Sequence, residues 1–214
     1  MALGRPREFD ADEALAKALD VFCRNGYEGT SVADLTEAMG INRPSLYAAF
    51  GNKEALFQKA LERYLADNFT RAQTALAEPD IRNAIERLLL SFVDAQTDPR
   101  HPPGCLAVSG ALTCSEANEQ VRQDLVRSRA QIEQWIRDRL DRADREGALP
   151  AGSTAEDLAM FVSTLSQGAS VQAASGVSRE DLHRLVKTAL SFWPKAQGRE
   201  GRVVAAVPAG IAVS

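Results

Sequence analysis

The chain has 214 residues, 45% hydrophobic and 25% charged, with a formal net charge of −4. That is the balance of an ordinary globular protein with room for one or two domains. No apolar run is long enough for a bilayer-spanning helix, and the start Met1-Ala2-Leu3-Gly4-Arg5-Pro6-Arg7-Glu8 lacks a signal-peptide core, so the expectation is a cytoplasmic protein with no membrane attachment; Cys23, Cys105 and Cys114 do not make a secreted disulfide framework.

The first helix is predicted from Ala11 to Asn25. Asp10 is its cap, Glu13 closes a capping box, and Leu15, Ala18, Leu19 and Phe22 form its buried stripe. Gly26 ends it. Ser31 then caps a second helix, with Asp34 completing a capping box and Val32, Leu35 and Ala38 forming one apolar face. Gly40 stands where the helix must stop and turn, and Ile41 can plug the angle. Asn42 caps a third helix with Pro44 in its first turn. Leu46 and Phe50 face inward, so Arg43, Ser45 and Tyr47 point outward, as in a helix laid in a DNA groove.

Asn52 caps a long fourth helix reaching toward Leu76 and stopped before Pro79, a connector from head to body. Asp80 caps a fifth, with Ile81, Ile85, Leu88, Leu89, Phe92 and Val93 on its apolar side. Thr97 to Gly104 is a loop with three prolines. A short, nearly apolar helix follows from Cys105 to about Cys114. A charged helix from about Asn118 to Glu146 carries the core stripe Val121, Leu125, Ile132, Trp135, Ile136 and Leu140. An eighth helix spans Thr154 to Ser175. A ninth, opened by the Ser178–Asp181 capping pair, spans Ser178 to Trp193. The Gly-, Ala- and Val-rich end is expected to be poorly ordered. The fold class is therefore all-α with about nine helices: a three-helix head at 1–51, a helical body at 52–194 and a tail at 195–214.

Residues from near Ala14 to near Leu65 resemble the N-terminal DNA-binding domain of the TetR family of transcriptional regulators. The resemblance is carried by Ala18-Leu19, Phe22, Asn25-Gly26-Tyr27-Glu28-Gly29-Thr30-Ser31, Leu46-Tyr47, Phe50 and Asn52-Lys53-Glu54-Ala55-Leu56. Ala48-Ala49 departs from it, since many members carry larger side chains there. Base reading would then rest on few residues and on DNA shape.

Arg43 and Ser45 are the candidates for base-edge contacts. Tyr47 is placed on a phosphate or a thymine methyl. Thr30, Ser31 and Lys53 suit phosphate clamping at helix starts, and Asn42 and Pro44 belong to the same surface. Arg5 and Arg7 form either a minor-groove arm or a plain tail. The head is not basic: residues 1–60 hold seven Lys/Arg against nine Asp/Glu, leaving it at −2. Affinity is expected to depend on a dimer that places two such surfaces on one duplex.

Cys105 in Pro-Pro-Gly-Cys-Leu sits at a helix start, where a thiolate is favoured. The phrase Gly104-Cys105-Leu106 resembles a subgroup of the family, some of whose members sense electrophiles or oxidants through this cysteine. A small buried hydrophobe is the alternative. A Cys105–Cys114 disulfide is rejected: nine residues along one helix put them roughly 13 Å apart, against the roughly 7 Å a disulfide allows. No metal site or cofactor is expected, since His101, His183 and the cysteines show no zinc spacing. Neither is an enzyme, since no nucleophile elbow, phosphate loop or dinucleotide glycine pattern appears.

The resemblance further implies a dimer through the last two large helices and a small-molecule pocket between the fourth and seventh. Phe69, Phe92, Val108, Leu112, Trp135 and Phe161 could line that pocket or be plain core. The sequence thus reads as a homodimeric DNA-binding regulator on a near-palindromic operator, a repressor released by a small-molecule or electrophile effector. A helical small-molecule or electrophile-binding protein without DNA binding is the alternative.

Overall fold

Among the described residues, seven of the nine α-helices begin on a side chain that accepts from the helix's own first turn. In this computed structural model, which describes residues 9–150 and 152–193, they are α1 (Ala11–Asn25), α2 (Val32–Met39), α3 (Arg43–Phe50), α4 (Lys53–Leu76), α5 (Ile81–Gln96), α6 (Leu106–Thr113), α7 (Glu119–Arg145), α8 (Ala155–Ala174) and α9 (Arg179–Ser191), with a single 3-10 turn at Glu116–Asn118. No strand occurs among the described residues. Arg5, Arg7 and the tail from 195 onward lie outside the described residues.

The local reasoning holds at the caps and slips where tertiary packing chooses the phase. Ser31 and Asp34 form the full capping box, at 3.1 and 2.8 Å. Asp10 caps α1, but Glu13 does not close a box: its carboxylate pairs with Lys17 at 2.8 Å, one turn on. The buried face of α2 is Leu35 and Met39, while Ala38 is exposed, because α1 packs along the i, i+4 ridge rather than i, i+3. In α1 the deepest residues are Ala14, Ala18, Val21 and Phe22, and Leu15 and Leu19 are half-buried. Gly40 takes the left-handed conformation (φ 68°) that turns α2 into α3.

Two apolar clusters hold the chain together. The first joins α1, α2 and α3 to Leu56, Phe57, Ala60 and Leu61 of α4, and also to Leu106, Ala107 and Ala111 of α6 and Val121 and Leu125 of α7. Phe22, Tyr27 and Phe57 meet at its centre, with Phe57 edge-on to both partners at 5.0 and 5.1 Å. Burial of each such ring contributes up to about 3 kcal/mol, so the head is bonded to the body by the same kind of core that holds the head itself. The second cluster joins Ala72, Ala75 and Leu76 at the far end of α4 to α5, α7, α8 and α9.

The C-terminus of α4 is capped from a distance. Arg139 of α7 is buried and donates through Nε to the Leu76 carbonyl at 3.0 Å, and through Nη2 to Glu78 at 3.0 Å and Pro79 at 2.9 Å. These carbonyls would otherwise be unpaired at a helix end that turns against Pro79. Arg139→Ala should cost about 2–3 kcal/mol. The check is the urea midpoint against wild type, and an unchanged midpoint would refute the capping role.

Candidate nucleic-acid interface and internal cavity

The outward face of α3 is set by the burial of its other face. Leu46 and Phe50 are in the core, so Arg43 and Tyr47, one turn apart, are exposed, Tyr47 by 50%. Pro44 and Ala48 are exposed beside them, and Ser45 is only half-exposed. Asn42 spends its carbonyl oxygen on the Ser45 N–H at 2.9 Å. Ser31 lies at the exposed start of α2, its oxygen accepting from the Asp34 N–H and its own N–H donating to the Asp34 carboxylate. Arg43, Tyr47 and Ser31 are thus exposed on the head, with Ser45 partly covered.

Thr30 is a correction. It is 1% exposed, and its hydroxyl donates to the Gly26 carbonyl at 2.6 Å, so the side chain cannot reach a phosphate. Lys53 is corrected in part. Its ammonium donates to the Thr30 carbonyl at 2.8 Å and sits 4.2 Å from the centre of the Tyr27 ring. Burial pulls its pKa down, against the nearby Glu28 carboxylate. Lys53 therefore ties the turn before α2 to the start of α4 and is half-exposed.

Glu28 carries a joint that no local pattern announced. Its carboxylate accepts from the Ser115 N–H and from the Asn118 side chain at 2.9 Å, so the turn after α1 is bonded to the segment joining α6 and α7. Ser115 first, then Asn118, holds the Glu28 pKa down to about 2. Two further contacts run between head and body: His101 Nδ1 lies 3.0 Å from Asp20, and Arg63 donates to the Asp12 carbonyl at 2.9 Å.

Inside the body, α4, α5, α6, α7 and α8 surround a cavity with about 40 Å³ open to the centre of a water-sized sphere. Cys105, Phe92 and Val108 line it, as do Tyr64, Asn68, Gln96, Arg129 and Ser163. A second, larger space of about 210 Å³ lies between α1, α4, α5 and the proline loop, and the two share Tyr64, Asn68, Phe92 and Gln96. Tyr64 donates to Cys105 Sγ at 2.9 Å, and burial followed by the neighbouring Cys105 raises the phenol pKa well above its ordinary value. Cys105 is the N-cap residue of α6, with extended backbone (φ −130°). The preceding Gly104 has φ +97° and passes so close to Ala174 that a Cβ would stand 3.0 Å from it, which is why the residue before Cys105 is glycine.

Of the six expected lining residues, Phe92 and Val108 line this cavity, beside Cys105. Phe69 and Phe161 are each 43% exposed and stand outside it. Phe69 stacks edge-on with half-buried Trp135 at 4.9 Å, on a different face of α4 and α7. The Leu112 side chain lies outside the described residues. Tyr64, Asn68, Arg129 and Ser163 were missed. One signal was readable: Asn68 occupies the same helical phase as Leu61, Ala72 and Ala75, an amide where the stripe demands an apolar group. All three cysteines are free thiols. Burial pushes the Cys23 thiol up to about 12 and also raises Cys114.

Comparison with known proteins agrees with this architecture. Residues 14–60 match the model described as bacterial regulatory proteins, tetR family, and residues 82–189 match a tetracyclin repressor-like C-terminal domain. The chain is 35% identical to the HTH-type transcriptional repressor ComR of Escherichia coli (strain K12) over 195 residues, 90% of this chain and 92% of the relative. It is similar to CifR, a TetR family transcriptional regulator solved as a cysteine mutant with a 26-base-pair operator duplex. There the TM-score is 0.84 at 44% identity, covering 89% of this chain and all of the other. Reduced NemR of E. coli, at 21% identity and TM-score 0.71, shares the fold.

The Glu28 joint has a defined pH signature. A carboxylate whose folded pKa is depressed contributes stability that is present above its ordinary value near 4.5 and is lost as pH falls through about 2. Glu28→Gln should lower Tm at neutral pH, and its difference from wild type should shrink steadily from pH 4.5 to pH 2. A difference independent of pH would rule the joint out.

Proposed function

The chain belongs to the TetR family of bacterial regulatory proteins and is a DNA-binding transcriptional regulator, not an enzyme; from that premise we propose that it is a cytoplasmic repressor, homodimeric on a near-palindromic operator, released by an effector that enters the Cys105 cavity. The observation that carries this is the α2–turn–α3 unit. Its inner face is locked into the core, and Arg43 and Tyr47 are presented side by side on the outer face, the arrangement that a recognition helix needs.

In this reading Arg43 reads a base edge with Ser45 beside it, Tyr47 packs on a phosphate or a thymine methyl, and Ser31, Lys53, Asn42 and Pro44 complete the surface. Residues up to about 51 act as the head, and 52–194 sense and dimerise. Met160, Phe161 and Val171 of α8, Leu185 of α9 and Phe192 beyond it are exposed large apolar side chains, Phe192 by 79%. A second copy of the chain would cover them, and that pairing sets two recognition helices at successive major grooves.

Effector control works through α4, which carries Tyr64 and Asn68 at the cavity and Lys53 at the head. A ligand with different affinity for two head spacings shifts their populations. Cys105 offers a covalent route: an electrophile adding to Sγ would displace the Tyr64 hydroxyl and push on α4. It would be the motif residue of a Gly-Cys-Leu subgroup. Burial keeps Cys23 and Cys114 protonated, so modification there is disfavoured.

Two tests bear on this. Arg43→Ala should weaken operator binding by about 1–3 kcal/mol and relax preference at one position of each half-site. Binding and selectivity equal to wild type in a random-duplex selection would remove Arg43 from base reading. N-ethylmaleimide should release wild-type protein from the selected duplex and leave Cys105→Ser bound. Equal release of both would end the covalent proposal.

A further inference from the structure

The cavity against Cys105 has charge of one sign. Arg129, from α7, lines it, and no aspartate or glutamate does. The adjoining space differs in having Asp20 and Asp67 alongside Arg63 and Arg71. Arg129 is half-buried and takes part in no hydrogen bond or ion pair among the described residues. Most other arginines of α7 are engaged: Arg122, Arg127, Arg137 and Arg142 with carboxylates, and Arg139 with carbonyls. Arg129 thus lines the cavity with no carboxylate beside it there.

Two further polar groups in the cavity lack partners. Ser163, 6% exposed, has no hydrogen-bond partner for Oγ, and neither does Gln96 for Oε1. Native interiors rarely leave such atoms unpaired. Phe92, Ile132 and Ile136 supply the apolar walls. About 40 Å³ for sphere centres exceeds the roughly 10–15 Å³ that one water requires.

We propose that this cavity binds a small organic acid. Its carboxylate pairs with Arg129, a short carbon chain lies on Phe92, Ile132 and Ile136, and a hydroxyl on that chain, where present, meets Ser163 Oγ and Gln96 Oε1. A planar fork of donors matches a carboxylate bidentately, and a hydroxyl both donates to the amide oxygen and accepts from serine. Such a ligand would touch both α7 and α4, since Tyr64 and Asn68 line the same cavity as Arg129. The inference rests on the reading of this cavity as the effector site and names the ligand class.

The test is calorimetry on the full chain with butyrate, 3-hydroxybutyrate and the neutral isostere butyramide, beside operator-release assays with the same compounds. Wild type should bind butyrate about tenfold or more tighter than butyramide, the return on a charge-assisted pair. Arg129→Gln should erase that preference and Arg129→Lys should keep part of it, each with wild-type Tm and operator affinity in the absence of ligand. The gain from the 3-hydroxyl should vanish in Ser163→Ala. Butyramide binding as tightly as butyrate, an undiminished butyrate affinity in Arg129→Gln, or no acid binding at millimolar concentration would each overturn the acid class. If N-ethylmaleimide still released operator in that last case, the regulator reading would stand while this one fell. Failure of wild type to bind any duplex would sink the regulator reading, and the calorimetry would still decide the ligand.

Discussion

One helix is embedded in two cores, and the rest of the molecule depends on it. The first turns of α4 place Leu56, Phe57, Ala60 and Leu61 among the head helices, and its last turns place Ala72, Ala75 and Leu76 in the body. Both ends are clamped: Lys53 is bonded to the Thr30 carbonyl, and Leu76 is capped by Arg139. Between them, Tyr64 and Asn68 face the cavities. In the proposed control a rod held at both ends and lining the cavities at its middle would transmit displacement, because packed cores shift between discrete arrangements instead of deforming smoothly.

The head is net acidic, yet five of its nine acids are engaged within the fold. Asp10 and Asp34 cap helices, Glu28 holds the α6–α7 segment, Glu13 pairs with Lys17 and Asp20 faces His101. None of these lies on the outer face of α3. Potential at the duplex is set by the charges within about a Debye length of it, so the sum over the head matters less than where Arg43 stands.

Some of the site was legible and some was not, for reasons visible in single residues. Arg43 and Tyr47 followed from the phase of Leu46 and Phe50, since a short helix with two buried positions has its outer face determined. Thr30 looked like a phosphate ligand because its place in the chain suits one, but its hydroxyl turns back onto Gly26, a choice made by the turn geometry. Phe69 and Phe161 were plausible pocket residues by type, yet they stand half in solvent. The cavity instead mixes apolar walls with polar residues at buried phases, Asn68 and Ser163 among them.

What the sequence by itself determined is where each helix starts, stops and turns, and which face of α3 looks outward. Caps, proline positions, the left-handed glycine and apolar periodicity act within a few residues, so their outcome needs no knowledge of distant contacts. Only the tertiary structure decided that Arg139 caps α4, that Glu28 bonds the α6–α7 segment, that Lys53 is partly occupied by Thr30 and that Arg129 faces a cavity without a carboxylate. Each of these joins residues tens of positions apart, and their meeting depends on helix crossing angles that no local pattern encodes.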